Sequence, residues 1–155
     1  MTIQIDTREK EKAIQAILST FNKRNVEYFK SKLFVGDYMN LDNPRLVVDR
    51  KQNLQEICNN VTQDRARFIR ELKRAKQYGI RIVFLIEHGE NVRQLDDVRN
   101  WTNPRLKTSP KAVSGVQLHK TLKIISDTFD TDFLFCSKAE TGRAIIKILG
   151  GSNNG

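Results

Sequence analysis

The chain carries only two cysteines, Cys58 and Cys136, far apart in apolar contexts and without C-x-x-C spacing. A cysteine-ligated metal site is therefore not expected, and both thiols are predicted to be reduced and buried. No apolar run approaches the roughly 18 residues of a membrane span. The opening Met1-Thr2-Ile3-Gln4-Ile5-Asp6 has a strand pattern in place of the apolar stretch of a signal peptide. These absences predict a cytoplasmic protein. Glycine (8) and proline (3) are few beside 39% hydrophobic and 29% charged residues, which excludes a disordered or fibrous chain. There is no glycine-rich phosphate loop, and Glu87-His88-Gly89-Glu90 reads as a turn. His88 and His119 are isolated, neither at ligand spacing from a cysteine or another histidine. No motif supports a Ser/His/Asp triad.

What is abundant is positive charge. Lys and Arg number 27 against 18 Asp and Glu, a net +9 over 155 residues. Such a surplus fits a polyanionic partner, because Lys and Arg gain affinity by releasing condensed counterions. It also fits a merely soluble basic protein, and composition leaves both readings open. The length predicts a single domain over residues 1–150, followed by a flexible tail at 151–155.

Along the chain, Ile3-Gln4-Ile5 predicts a short strand ending in the charged cluster Asp6-Thr7-Arg8-Glu9. Ala13, Ile14, Ile17, Leu18 and Phe21 recur at helical spacing, which predicts a helix from Glu11 to Arg24. A second strand is expected at Val26 to Lys30. A hairpin follows, Tyr38 to Leu41 going out and Arg45 to Asp49 returning, with Asp42-Asn43-Pro44 as its turn. Leu54 to Val61 reads as a short helix. A longer helix is predicted from Thr62, its cap, to Tyr78, with Gly79 as its stop. Val61, Phe68, Leu72 and Ala75 share one face of it, and Arg67, Arg70, Lys73 and Arg74 the opposite one. Arg65 falls on the apolar stripe, placed either for a capped ion pair or to reach an acidic site.

Ile80 to Glu87 is a nearly continuous apolar run, the pattern of a central strand covered on both faces. A helix is expected at Asn91 to Trp101, then an irregular basic loop to Lys111. Gly115 to Phe129 reads as helix, Asp132 to Cys136 as strand and Lys138 to Leu149 as helix. Helices on both faces of a mixed sheet make an α/β sandwich.

The chemistry gathers at Val35-Gly36-Asp37-Tyr38 and Val47-Val48-Asp49-Arg50-Lys51. Strand alternation turns Asp49 and Lys51 to one face and Arg50 to the other. The hairpin lays Asp37 near Asp49, and Asp6 joins them if the first strand pairs alongside. Hard oxygen ligands of this kind suit Mg²⁺ or Mn²⁺. Such an ion lowers the pKa of its water and offsets charge on a phosphodiester under attack. Lys51 would orient or deprotonate that water, or stabilise the attacked phosphate. Each short motif alone is common; their joint placement in a basic α/β chain carries the argument.

Ile5-Asp6-Thr7-Arg8-Glu9, Val35-Gly36-Asp37-Tyr38 and Val48-Asp49-Arg50-Lys51 closely resemble the nuclease domain of the XPF family of structure-specific endonucleases. That domain is a branch of the PD-(D/E)xK superfamily, whose pattern is G-D, a gap, E-R-K, three residues and D. The resemblance extends through Phe68-Ile69-Arg70-Glu71-Leu72 and Leu85-Ile86-Glu87 to Glu140-Thr141. It implies a three-layer α/β/α restriction-endonuclease-like fold with a central mixed sheet. Asp37, Asp49 and Asp6 are implied as metal ligands for Mg²⁺ or Mn²⁺, Lys51 as the water-positioning group, and Arg8 and Arg50 as further catalytic-site residues, with Glu9 a weaker member. Two positions depart from the pattern. Asp49 stands where the family has Glu, and Gln55 where it has the later Asp, so that Glu56, a shift of the helix or nothing supplies that contact. The family's helix-hairpin-helix module is not found after Leu149. The resemblance thus implies a stand-alone nuclease domain, of a kind expected in compact phage genes and, if phage-encoded, active in the host cytoplasm.

The expected activity is metal-dependent cutting of DNA near branches, flaps or duplex/single-strand junctions, in DNA repair or recombination. The alternatives are a nuclease-inactive DNA-binding partner subunit, or a four-way-junction resolvase or nicking enzyme on the same fold. For DNA phosphates the loop residues Arg105, Lys107 and Lys111 are the first choice, and the helix face with Arg67, Arg70 and Arg74, with Arg65 beside it, the second. Tyr38 or Trp101 could stack on unpaired bases, although core packing is favoured for Trp101. A homodimer or heterodimer is implied, with Val116, Leu122, Ile125, Ile145, Ile146 and Leu149 offering apolar surface unless they are core.

Overall fold

Alternation of Ile3 and Ile5 with polar neighbours builds the first strand, β1 (Thr2–Ile5), with both isoleucines fully buried. The computed structural model describes residues 1–89 and 91–150, so the predicted tail at 151–155 lies outside the described residues. The helix expected from Glu11 is a 3-10 turn over Glu11–Ile14 that relaxes into α1 (Gln15–Lys23). Then come β2 (Glu27–Lys30), β3 (Tyr38–Asn40) and β4 (Asn43–Lys51). The β3–β4 turn is tighter than expected, because the Asn40 side chain accepts from Asp42 N–H.

Asn53 caps α2 (Leu54–Val61) by accepting from Glu56 N–H. The next helix, α3 (Arg65–Gln77), starts later than expected, since the Thr62 hydroxyl donates to Cys58 O at the end of α2 and caps nothing beyond it. Gly79, at φ +70°, ends α3 as predicted and leads to β5 (Arg81–Glu87). The helix expected at 91–101 shrinks to a 3-10 helix, Leu95–Asn100, because Asp97 closes a capping box with Gln94 and starts the helix there. The basic loop holds a 3-10 turn, Pro104–Lys107. Ser114 and Gln117 form a capping box on α4 (Gly115–Phe129), followed by β6 (Asp132–Cys136) and α5 (Thr141–Gly150).

The strands form one six-stranded sheet in the order β2-β1-β3-β4-β5-β6. It is mixed: β3 runs antiparallel to β1 and β4, and the remaining pairs are parallel. Ile82, Phe84 and Ile86 of β5 pack with α2, α3 and α4 on one face, and Leu85 packs with α1 and α5 on the other. The result is the expected α/β/α sandwich with β5 buried between the layers. The apolar residues proposed for pairing are largely core: Leu122, Ile125, Ile145 and Leu149 are 3% exposed or less, whereas Val116 is 62% exposed.

Two buried charged contacts tie these layers together. Arg50 shares the face of Val48, where Glu9 takes its guanidinium in a two-pronged pair at 2.6 and 2.9 Å. A third nitrogen donates to Glu87 at 2.8 Å, and the other Glu87 oxygen accepts from the Thr141 hydroxyl at the start of α5. Segments from four parts of the chain thus join in one hydrogen-bonded network. Asp6, fully buried, accepts from Leu33 N–H at 2.7 Å and from both the backbone and Nε of Arg8. Burial alone would raise its pKa, but the Arg8 guanidinium and the two backbone N–H groups hold it below the usual carboxylate range.

Arg50→Met strands two carboxylates inside the protein and should lower unfolding free energy by about 3–5 kcal/mol in a urea titration. Asp6→Asn should cost about 1–3 kcal/mol at neutral pH, since it places an amide against N–H donors. Because the folded-state pKa of Asp6 is depressed, its contribution is complete above the ordinary value of 3.8 and disappears as pH falls through the folded value. The gap between wild type and Asp6→Asn should therefore narrow in titrations taken progressively below pH 3.8.

Candidate active site and nucleic-acid interface

Gly36 sets the site. Its φ is +78°, and a Cβ there would lie 2.8 Å from Val47 Cγ2, so a side chain would meet both backbone strain and a clash. This bend feeds Asp37 into the sheet, where its N–H donates to Val48 O and its own carbonyl accepts from Asp6 N–H, each at 2.8 Å. Arg50 N–H then donates to Asp37 Oδ2 at 2.8 Å, orienting the carboxylate from the neighbouring strand. Asp49 and Lys51 extend from β4 on the face of Val47, with Lys51 Nζ 3.4 Å from Asp49 Oδ1. The Lys51 ammonium also lies 5.9 Å from the Phe84 ring centre.

Asp37, Asp49 and Lys51 border one open pocket of about 220 Å³ together with Glu56 of α2 and Glu71 of α3. Arg8, Glu9, Arg50 and Gln52 complete its walls. Burial, the Asp49 charge and Glu9 push the Asp37 carboxyl well above its usual range. Burial and Asp49 likewise raise Glu71. Burial would lower the Lys51 pKa, but Asp49, Glu56 and Asp37 outweigh it and raise the value. Four carboxylates thus crowd one ammonium in a half-enclosed space, an arrangement that a cation relieves. The donors are all hard oxygens, which fits Mg²⁺ or Mn²⁺. Among the described residues no three His, Cys, Asp or Glu side chains are grouped so as to hold a metal ion by themselves. A partial set is what Mg²⁺ uses, since it keeps several waters.

The residues expected at this site divide. Asp37, Asp49 and Lys51 come together. Arg8 borders the pocket with a side chain 70% exposed. Arg50 reaches the site through its backbone N–H, while its guanidinium is taken up by Glu9 and Glu87. Asp6, expected as a third ligand, does not line the pocket, and its oxygens fasten Leu33 and Arg8. At the doubtful downstream position, Glu56 lines the pocket and accepts from Gln52 N–H, whereas Gln55 turns to Asn59 along α2.

The basic residues divide as well. Arg67, Arg70 and Arg74 line a groove of about 760 Å³ with Arg8, Lys32 and Lys73. Arg8 and Glu71 border both cavities, so the groove and the acidic pocket adjoin. Arg105 and Lys111 line a separate cleft against the end of α2, and Lys107 stands exposed on the same loop. Arg65 makes neither expected contact; it donates to Val61 O beside it. Tyr38 is fully buried, edge-on to Phe21, and has no face for a base. Trp101 packs against the core as favoured.

Glu71 and Phe34 had no assigned role from sequence. Glu71 carried a signal, being the only acidic residue of α3 and adjacent to its apolar stripe. Phe34 carried none, since Leu33-Phe34-Val35 looks like uniform core.

Residues 5–147 match the ERCC4 domain. No curated protein matches the chain. Among solved structures it is similar to XPF from Aeropyrum pernix, with a TM-score of 0.66 and 16% identity over 98% of this chain and 66% of that one. It is also similar to XPF from Aeropyrum pernix in complex with DNA, with a TM-score of 0.67 and 16% identity over 99% of this chain and 65% of that one. The chain therefore spans just under two-thirds of the length of these relatives. At this identity their likeness is one of fold, and it agrees with the mixed sheet between two helical layers. With the ERCC4 match running from the end of β1 to α5, this chain belongs to the ERCC4 domain family.

Proposed function

We propose that this chain is a metal-dependent, structure-specific DNA endonuclease, with residues 1–150 as its nuclease domain, cutting one strand near a branch, flap or duplex/single-strand junction. ERCC4 domains form a family of structure-specific nucleases that is generally dependent on divalent metals, which supports the reading. The observation that carries it is the convergence of Asp37, Asp49 and Lys51 on one pocket that adjoins a basic groove.

In this reading Asp37 and Asp49 hold a Mg²⁺ or Mn²⁺ ion. Such an ion, when bound, supplies a water of lowered pKa and positive charge against the phosphodiester. The protein's own contribution is positional. The Arg50 N–H fixes the Asp37 carboxylate, and the Gly36 bend keeps it beside Asp49. The Lys51 ammonium orients the attacking water or the attacked phosphate. Glu71 and Glu56 add negative potential that draws a cation into the pocket. The cations of α3, with Lys32 and Arg8, hold the DNA backbone leading to it.

On labelled flap, fork, four-way and linear DNAs, Asp49→Ala should cut at least roughly 100-fold more slowly than wild type, and EDTA should abolish cutting. Full activity in Asp49→Ala, or cutting in EDTA, sinks the reading. Binding of branched DNA with no cutting under any metal supports an inactive partner subunit instead. A salt titration separates the two basic surfaces. Replacing Arg67, Arg70 and Lys73 by Gln should flatten the slope of log affinity against log salt by about 0.9 for each phosphate that is no longer neutralised. The same change at Arg105, Lys107 and Lys111 should leave the slope unaltered.

A further inference from the structure

Among the exposed apolar side chains, Phe34 stands apart because of what surrounds it. Its neighbours Leu33 and Val35 are 6% and 2% exposed, whereas Phe34 is 43% exposed. Leu33 is anchored by its N–H to buried Asp6 and Val35 belongs to the core cluster that holds Val47, so the irregular segment turns both neighbours of Phe34 inward and leaves Phe34 itself part-exposed. Its ring projects into the basic groove formed by Lys32, Arg67, Arg70 and Lys73. The Arg74 guanidinium carbon stands 4.4 Å from the ring centre, and Arg74 also donates to the Phe34 carbonyl at 2.9 Å. Tyr78, itself 62% exposed, meets the ring near edge-on at 4.9 Å.

We propose that Phe34, backed by Arg74 and Tyr78, is a stacking platform for an unpaired base of a single DNA strand lying in this groove. The simpler alternative is a side chain that merely closes the 31–37 loop onto α3. A closing residue gains by being covered, yet Phe34 keeps nearly half of its surface in water within a groove lined by cations, and Tyr78 beside it is more exposed still. Cations tracking a phosphate backbone and aromatic faces taking successive bases are the two ingredients of sequence-tolerant single-strand binding. The groove's volume of about 760 Å³ lies in the range of ligand-holding pockets. A paired base has both faces stacked in the duplex and cannot use the platform, so Phe34 selects for unpaired strand.

The platform's position rests on the nuclease reading. Phe34 precedes Asp37 by three residues, at most about 11 Å of extended chain. A strand advancing about 3.4 Å per stacked nucleotide would then seat its base within about three nucleotides of the phosphate to be cut. The same short segment that delivers Asp37 to the acidic pocket thus also tests whether the incoming strand is unpaired.

The test is binding by the whole chain in EDTA, where cutting does not interfere, using fluorescently labelled oligodeoxythymidylate, a flap DNA and a linear duplex. Phe34→Ala should weaken the first two by roughly 5- to 150-fold and leave the duplex unchanged. Phe34→Trp should restore single-strand affinity, and in a Trp101→Phe background its fluorescence should be quenched by the oligonucleotide. Arg74→Lys, which keeps the charge but loses the planar face, should fall between. The proposal is overturned if Phe34→Ala binds single strands as wild type does, if it weakens duplex and single strand equally, or if wild type binds no single-stranded DNA. Cutting assays with Mg²⁺ separate this from the activity itself. An Asp49-dependent enzyme indifferent to Phe34 loses the platform alone, and a protein that never cuts but needs Phe34 to hold single strands loses the nuclease alone.

Discussion

The guanidinium of Arg50 is the point on which the site depends. It lies buried between Glu9 and Glu87, and Thr141 joins through the far side of Glu87. Removing this charge from water is costly, and only near-complete pairing makes it tolerable. Glu9 follows β1, Glu87 ends β5 and Thr141 opens α5, so their convergence sets how the strand ends lie against one another. The same residue's backbone N–H holds the Asp37 carboxylate. One residue of β4 therefore joins the structural charge network to the candidate catalytic pocket.

Strand pleating sets these two charge systems on opposite faces of β4, although Glu9 and Arg50 also border the pocket. Arg50 and Val48 share one face of β4, and Val47, Asp49 and Lys51 share the other. On the first face one buried guanidinium is hydrogen-bonded to two buried carboxylates. On the second, carboxylates from β4, α2, α3 and the Gly36 bend outnumber their one ammonium. The imbalance makes that pocket a place for a cation, and the surplus of Lys and Arg lies next to it along the outer face of α3. This face therefore carries acid at its centre and base beside it.

Much of this could be read along the chain. The apolar period found α4 and β6 at their observed ends, and the unbroken run of β5 announced a strand covered on both faces. Asp37, Asp49 and Lys51 were visible because strand periodicity and a hairpin bring them together by local rules. The misses have local causes too. A capping box at Gln94 shortened one helix, and Thr62 served the helix before it instead of the one after.

Local pattern thus decided which elements form, which face each side chain takes and which carboxylates lie on neighbouring strands, because these follow from backbone period and pairing over short separations. Tertiary packing decided the rest. Only the meeting of β1, β4, β5 and α5 shows that Arg50 is consumed internally. Only the seating of α3 beside the 33–37 segment puts Glu71 in the pocket, joins the α3 cations to the site and leaves the loop at Arg105 against a different cleft. Phe34 is the clearest case, since an aromatic between two buried residues looks like core until the anchoring of its neighbours turns it outward. Long-range placement sets these roles, and no short window of the chain contains it.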